Sequence, residues 1–157
     1  MPEDAAIQML KMALLLERQG KAFYEKVAAQ TRSPAVRELF ETLAAEEQKH
    51  AEILVQRGGT SAPGPVPDTL SKLVLSREIR RQIGAAGYEA AAISAAIDME
   101  NRAVALYSQR AEETADPAER GTCQWLAEWE RTHQRYLARL HQELLEEIWQ
   151  DSRFWPF

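Results

Sequence analysis

Four stretches of this chain set apolar residues at alternating steps of three and four, and in each the pattern is broken at one level by an ionisable residue. The second stretch reads Val36, Phe40, Leu43, Glu47, His50, Leu54, and the fourth reads Cys123, Leu126, Glu130, His133, Leu137, Leu140, Leu144. The first gives Leu10, Ala13, Glu17, Gly20, Tyr24, Val27, and the third gives Ile93, Ala96, Glu100, Ala103, Tyr107. Such spacing marks the stripe by which a helix faces its neighbours. No stretch alternates with the period of a strand, so the expected class is all-α.

Local signals place the helix ends. The first helix is expected from about Glu3 to Thr31. The second follows "RSP", with Ser33 as cap and Pro34 in the first turn, and ends near Arg57. The third covers roughly Tyr88 to Thr114. The fourth opens at "ADP", capped by Asp116, and runs to about Gln150. Between the second and third lies "GGTSAPGPVPD", Gly58 to Asp68, a connection rich in proline and glycine. A lesser amphipathic helix is expected in "TLSKLVLSREIRRQIG" behind it. The tight joints make helices 1 and 2, and helices 3 and 4, antiparallel neighbours. The long connection, about residues 57–87, is enough to cross the bundle. Two helical hairpins joined by one long crossover is the ferritin-like form of a four-helix bundle. Residues 1–157 are expected to form one such domain, with a short aromatic tail at 151–157.

The two hairpins are copies. A shift of 83 residues lays Glu17 on Glu100, Tyr24 on Tyr107, Pro34 on Pro117, Glu47 on Glu130 and His50 on His133, and 13 of the 38 residues from 17 to 54 match without a gap. Alanine and leucine matches are expected between any two helical hairpins, but the registration of the glutamates, tyrosine, proline and histidine is not. A pseudo-two-fold axis is expected to relate the copies.

Four glutamates and two histidines therefore point inward at about mid-height. Burying one unpaired carboxylate costs several kcal/mol, and four close together cost more. The seams offer no lysine or arginine at these levels, and protonating all four acids at neutral pH requires very large pKa shifts. Two divalent cations balance four carboxylates, and residues three apart on a helix can share one ion. Glu17, Glu47, His50, Glu100, Glu130 and His133 are thus candidate metal ligands. Glu46, Glu52 and Glu128 fall off the stripe and are expected as solvated surface charges, and His141 also lies off it. Trp125 and Trp129 flank the fourth stripe as core filler. Tyr24 and Tyr107, two turns beyond Glu17 and Glu100, are either packing residues or hydroxyl donors supporting a ligand glutamate.

Composition narrows the remaining classes. At 45% hydrophobic and 27% charged the chain has a globular balance, and a net charge of -5 without a basic stripe speaks against a nucleic-acid partner. Cys123 is the sole cysteine, so neither an internal disulfide nor a four-cysteine metal site can form. The N-terminus "MPEDAAIQML" lacks the order of a secretory signal, and no apolar run approaches the roughly 18 residues of a membrane span. No membrane association and a cytoplasmic location are expected.

The segments "ERQGKAFY", "EEQKH", "ENRAVALY" and "EWERTH" resemble the four ligand helices of rubrerythrin-type proteins in the ferritin-like di-iron carboxylate superfamily. The resemblance covers nearly the whole chain apart from the crossover and the tail after Gln150. It implies two iron ions bridged by Glu47 and Glu130, with Glu17 and Glu100 as terminal ligands and His50 and His133 completing one iron each. It also implies reduction of hydrogen peroxide, oxidation of Fe(II) by oxygen, or both. Manganese or zinc suits the same donors. Two departures matter. Many rubrerythrins carry a four-cysteine rubredoxin-like domain that has no counterpart in this sequence, so a separate protein is expected as electron donor. The carboxylate often found one turn after the helix-3 glutamate is replaced by Ala103, which questions any mechanism that moves an iron toward it. The repeat-related position is Gly20. Two small residues are expected to leave open volume for peroxide or oxygen, so Leu at either place should slow oxidation without loss of metal. The rival readings are a ferroxidase or iron-storage subunit and a metal-stabilised structural or cargo module. The tail "SRFWPF" suits docking on a partner or packing on its own bundle or a dimer mate. The crossover length is compatible with hairpin exchange, and a homodimer is expected.

Overall fold

The protein is described by a computed structural model that covers residues 2–57 and 87–151. Four helices account for nearly all of these residues: α1 (Pro2–Gln30), α2 (Pro34–Arg57), α3 (Gly87–Glu113) and α4 (Pro117–Asp151). Each expected boundary lies within one residue of the observed one. The crossover and the aromatic tail lie outside the described residues, as does the lesser helix expected between α2 and α3; the side chain of Leu144 also lies outside them. Among the described residues no strand occurs, and no helix is long and apolar enough to cross a membrane.

The closest helix pairs are α1 with α2 and α3 with α4, and α1 also packs on α3. This is the ferritin-like four-helix bundle that the loop lengths imply. The two hairpin turns are built alike. Ser33 Oγ accepts the Val36 amide at 3.2 Å, and Asp116 Oδ1 accepts the Ala118 amide at 3.0 Å, so each Pro-led helix starts on a capped turn. Arg37 donates to the carbonyls of Ala28 and Thr31 at the end of α1. Its repeat partner Arg120 donates to those of Ala111 and Thr114 at the end of α3. These guanidinium bonds satisfy carbonyls that a helix C-terminus leaves open. The same arginine-to-carbonyl bonding in both copies gives the internal repeat a physical content beyond matching letters.

The described seam residues of α2, α3 and α4 are all buried, as are those of α1 except the half-buried Leu10. They form two apolar clusters. One holds Tyr24, Val27, Val36, Phe40, Leu43, Ile93, Leu137 and Leu140; the other holds Ala13, Leu54, Ala103, Tyr107 and Leu126. Glu17, Glu47, His50, Glu100, Glu130 and His133 belong to neither. The stripe of every helix runs through one cluster, a polar level, and the other cluster. A polar layer thus lies between two apolar ones, held rigid by the packing on both sides.

Candidate metal centre

The six inward side chains converge. Glu17, Glu47, His50 and Glu130 each offer a donor atom within 4.8 Å of the others, and Glu47, Glu100, Glu130 and His133 do the same. Glu47 and Glu130 belong to both groups, so two ions held there would share these two carboxylates. His50 Nδ1 lies 2.7 Å from Glu130 Oε1 and 3.2 Å from Glu17 Oε2. His133 Nδ1 lies 3.3 Å from Glu100 Oε1 and 3.6 Å from both Glu47 Oε1 and Glu130 Oε2. The helical repeat explains this arrangement. Glu-x-x-His puts an acid and an imidazole on one face of α2 and again of α4, while α1 and α3 each bring one facing glutamate.

Both tyrosines carry more than packing. Tyr24 donates its hydroxyl to Glu100 Oε1 at 2.6 Å, and Tyr107 donates to Glu17 Oε1. Each tyrosine therefore serves the glutamate of the opposite hairpin, tying the two copies together through their outer acids. Burial, then the neighbouring carboxylates, push both phenols well above their ordinary range, so each remains a donor. Tyr107→Phe and Tyr24→Phe are each expected to lower metal affinity about tenfold by freeing one outer acid. Competition against a chelator measures it.

The electrostatics of the layer are sharply divided. Burial pushes Glu17 up, but the His50 charge and hydrogen bonds from Glu47, His50 and Tyr107 outweigh it and hold the carboxyl at about 2. Burial likewise opposes Glu100, which His133, Glu130 and Tyr24 hold at about 2. Glu47 and Glu130 go the other way. Burial, then the charges of the surrounding acids, raise both well above the usual carboxylate range. Burial depresses the histidines, yet the acids around them win and both are raised well above 6.5. Without metal, these shifts favour protons on the two shared acids and on both imidazoles.

One expectation is corrected. Glu46 is not a solvated surface charge: it is 2% exposed, and its Oε2 accepts hydrogen bonds from His133 Nε2 and, at 3.2 Å, from Trp129 Nε1. Trp129 is correspondingly more than filler, lying against His50 with ring centroids 4.1 Å apart. Periodicity along α2 could not find Glu46, because it fixes the central stripe and not which flank meets another helix. A signal was present in the repeat: position 46 matches position 129, where glutamate faces tryptophan. Glu52 and Glu128 behave as expected, Glu52 exposed beside Gln48 and Glu128 paired with Arg131 and Arg135. His141 is half-buried and belongs to neither donor group. The Cys123 thiol is buried and its pKa is pushed up to about 11, so it is a packing residue rather than a nucleophile.

The donor set fits a metal pair on its own terms. Both Nδ1 atoms face the acids, the shared acids are common to both groups, and Glu130 Oε2 is buried without a hydrogen-bond partner among the described residues. A buried acceptor left open is costly unless something fills it. The fold and site together define a ferritin-like bundle with a buried Glu/His cluster suited to a di-metal site. Comparison with family models agrees: the rubrerythrin model matches residues 8–141, and the chain belongs to the rubrerythrin family. Comparison with curated proteins and with solved structures returned no match.

Proposed function

We propose that this protein is a non-haem di-iron oxidoreductase that reduces hydrogen peroxide, or reacts with oxygen, using electrons from a separate donor protein. The observation that carries the reading is the pair of four-residue donor groups sharing Glu47 and Glu130. Two Fe(II) ions held by these residues would supply one electron each, enough with two protons to convert hydrogen peroxide to two waters without a one-electron radical. Imidazole and carboxylate donors also suit manganese and zinc, of which zinc would leave the site without redox chemistry.

The chain's own residues provide the rest. A cavity of about 190 Å³ reaches the shared acids between α1 and α3, lined by Gly20 and Ala103 and rimmed by the exposed Gln19 and Arg102. It is large enough for a small oxidant, and a guanidinium at its rim favours a neutral molecule over a cation. Tyr24 and Tyr107 fix the outer acids, and the apolar clusters on both sides exclude bulk water from the layer.

The expectation for Gly20 needs adjustment. A Cβ placed there would sit 3.5–3.6 Å from Glu47 Cδ, Cγ and Oε2, already in van der Waals contact with a shared acid. Leucine would push on that ligand, so loss of metal is expected with it. Alanine fits. Gly20→Ala should keep the full metal content, raise helix stability by up to about 1 kcal/mol, and slow oxidation several-fold by narrowing the cavity. Metal analysis, thermal melting and stopped-flow absorbance check the three outcomes.

The function is tested by anaerobic Fe(II) titration followed by separate challenge with peroxide and oxygen. Two irons per chain with faster consumption of peroxide support the peroxidase. Preferential reaction with oxygen, particularly in a large closed assembly, supports iron oxidation and storage instead. Failure to bind any transition metal overturns both.

A further inference from the structure

We propose that Glu46 is a positioning residue that makes the two metal positions unequal, so that the position served by His133 binds its ion more tightly and fills first. This rests on the di-metal reading above and adds an order of loading to it.

The repeat holds most of the site constant. Glu17 and Glu100, Glu47 and Glu130, His50 and His133, and Tyr24 and Tyr107 are all equivalent pairs under the 83-residue shift. Each histidine turns Nδ1 toward the acids, and each outer glutamate receives the hydroxyl of the opposite tyrosine. Two positions built from equivalent parts should bind equally. A clear difference lies in what meets the outward nitrogen of each imidazole. His133 Nε2 donates to Glu46, whereas His50 Nε2 is buried with no hydrogen-bond partner among the described residues. The residue equivalent to Glu46 is Trp129, and its ring lies edge-on against the His50 ring, with an interplanar angle of 71°.

A carboxylate that accepts from the outer N–H of an imidazole fixes the tautomer, leaves the other nitrogen's lone pair for a metal, and makes that nitrogen more basic. His133 has this support. An aromatic ring beside an N–H is a far weaker acceptor, so His50 lacks it. Trp129 acts on both sides of the centre. It excludes a carboxylate from His50, and its own Nε1 donates to the Glu46 oxygen that holds His133, pinning that side chain in place.

The test is anaerobic titration with Co(II), followed by visible absorbance, calorimetry and the hyperfine-shifted Nε2–H proton signals of the bound histidines. His50→Gln and His133→Gln variants assign those signals. Wild-type protein should bind two ions in separate steps at least about tenfold apart, the first producing only the His133 signal. Glu46→Gln, which keeps the size of the side chain but not its charge, should weaken the first step about 10–100-fold and leave the second within about twofold. Glu46→Asp, which restores the charge, should recover part of the loss. A structural role alone would move the melting temperature and both steps together. Two equal steps in the wild type, a His50 signal appearing first, or equal weakening of both steps by Glu46→Gln each overturn the proposal while leaving the di-metal reading standing. No binding of Co(II) by the wild type overturns that reading and this one with it.

Discussion

Glu130→Gln will strip both metal positions and yet leave the metal-free protein close to its original stability. The two halves of this result have one cause. Glu130 belongs to both donor groups, so its loss is felt by two ions, whereas a change at Glu17 or Glu100 touches one. Affinity at each position should fall at least about a hundredfold, on the order of 3 kcal/mol. In the metal-free protein, burial and the charges of Glu100 and Glu17 raise the Glu130 carboxyl well above the usual range and favour its protonated form. Glutamine is the neutral isostere of that state and can still accept from His50, which lies 2.7 Å from Oε1. Metal-free stability should therefore change by about 1 kcal/mol or less, because no charge is removed and no buried donor is orphaned. Glu47→Gln should behave alike. Metal per chain after gel filtration and chemical denaturation in chelator read the two halves separately. Retention of two tightly bound ions by Glu130→Gln would refute the shared-ligand geometry. A protein that unfolds without metal would show that Glu130 is ionised in the metal-free state.

Much of this centre was legible because its chemistry obeys the helix period. Glu47, His50, Glu130 and His133 stand where leucines would stand, and a buried stripe gives an ionisable residue few innocent explanations. The helix starts were equally legible, since Ser33-Pro34 and Asp116-Pro117 are capping signals that act within one turn. Glu46 escaped because a helix in a bundle has two flanks as well as a face. Which flank is covered depends on how α2 sits against α4, a relation that no period along one helix encodes. The crossed tyrosine bonds were half visible. The stripe put Tyr24 and Tyr107 near a glutamate, but only the packing of α1 on α3 shows that each reaches across to the other hairpin. The locks of Arg37 and Arg120 illustrate the converse. They were plain matches in the repeat whose meaning waited on the position of the carbonyls at the preceding helix ends.

Metal loading will be an exchange of cations for protons, and its strength will climb steeply with pH. In the metal-free layer Glu47, Glu130, His50 and His133 are all raised well above their ordinary values, the acids by burial and by one another, the histidines by the acids in spite of burial. All four shifts favour the protonated forms, and incoming divalent ions displace those protons. Each proton released adds about one power of ten per pH unit to the binding constant, so affinity should rise with pH until the raised groups reach their own pKa values. Folding stability without metal has the opposite slope over the same range. The unfolded carboxyls and imidazoles titrate near 4.5 and 6.5, so above those values the folded layer holds protons that the unfolded chain has released. Stability from the raised groups is therefore complete below the unfolded values and drains away as pH rises through the folded ones. Glu17 and Glu100, held at about 2, contribute the reverse: stability present above 4.5 and lost as pH falls toward 2. The metal-free protein should melt highest in the mildly acid range, and the gap between its melting temperature and that of the loaded protein should widen from pH 6 to pH 8. Calorimetry in buffers of different ionisation enthalpy counts the protons directly. A release well below one proton per ion, or a gap that narrows as pH rises, would mean that the shared acids and the imidazoles are not protonated before metal arrives.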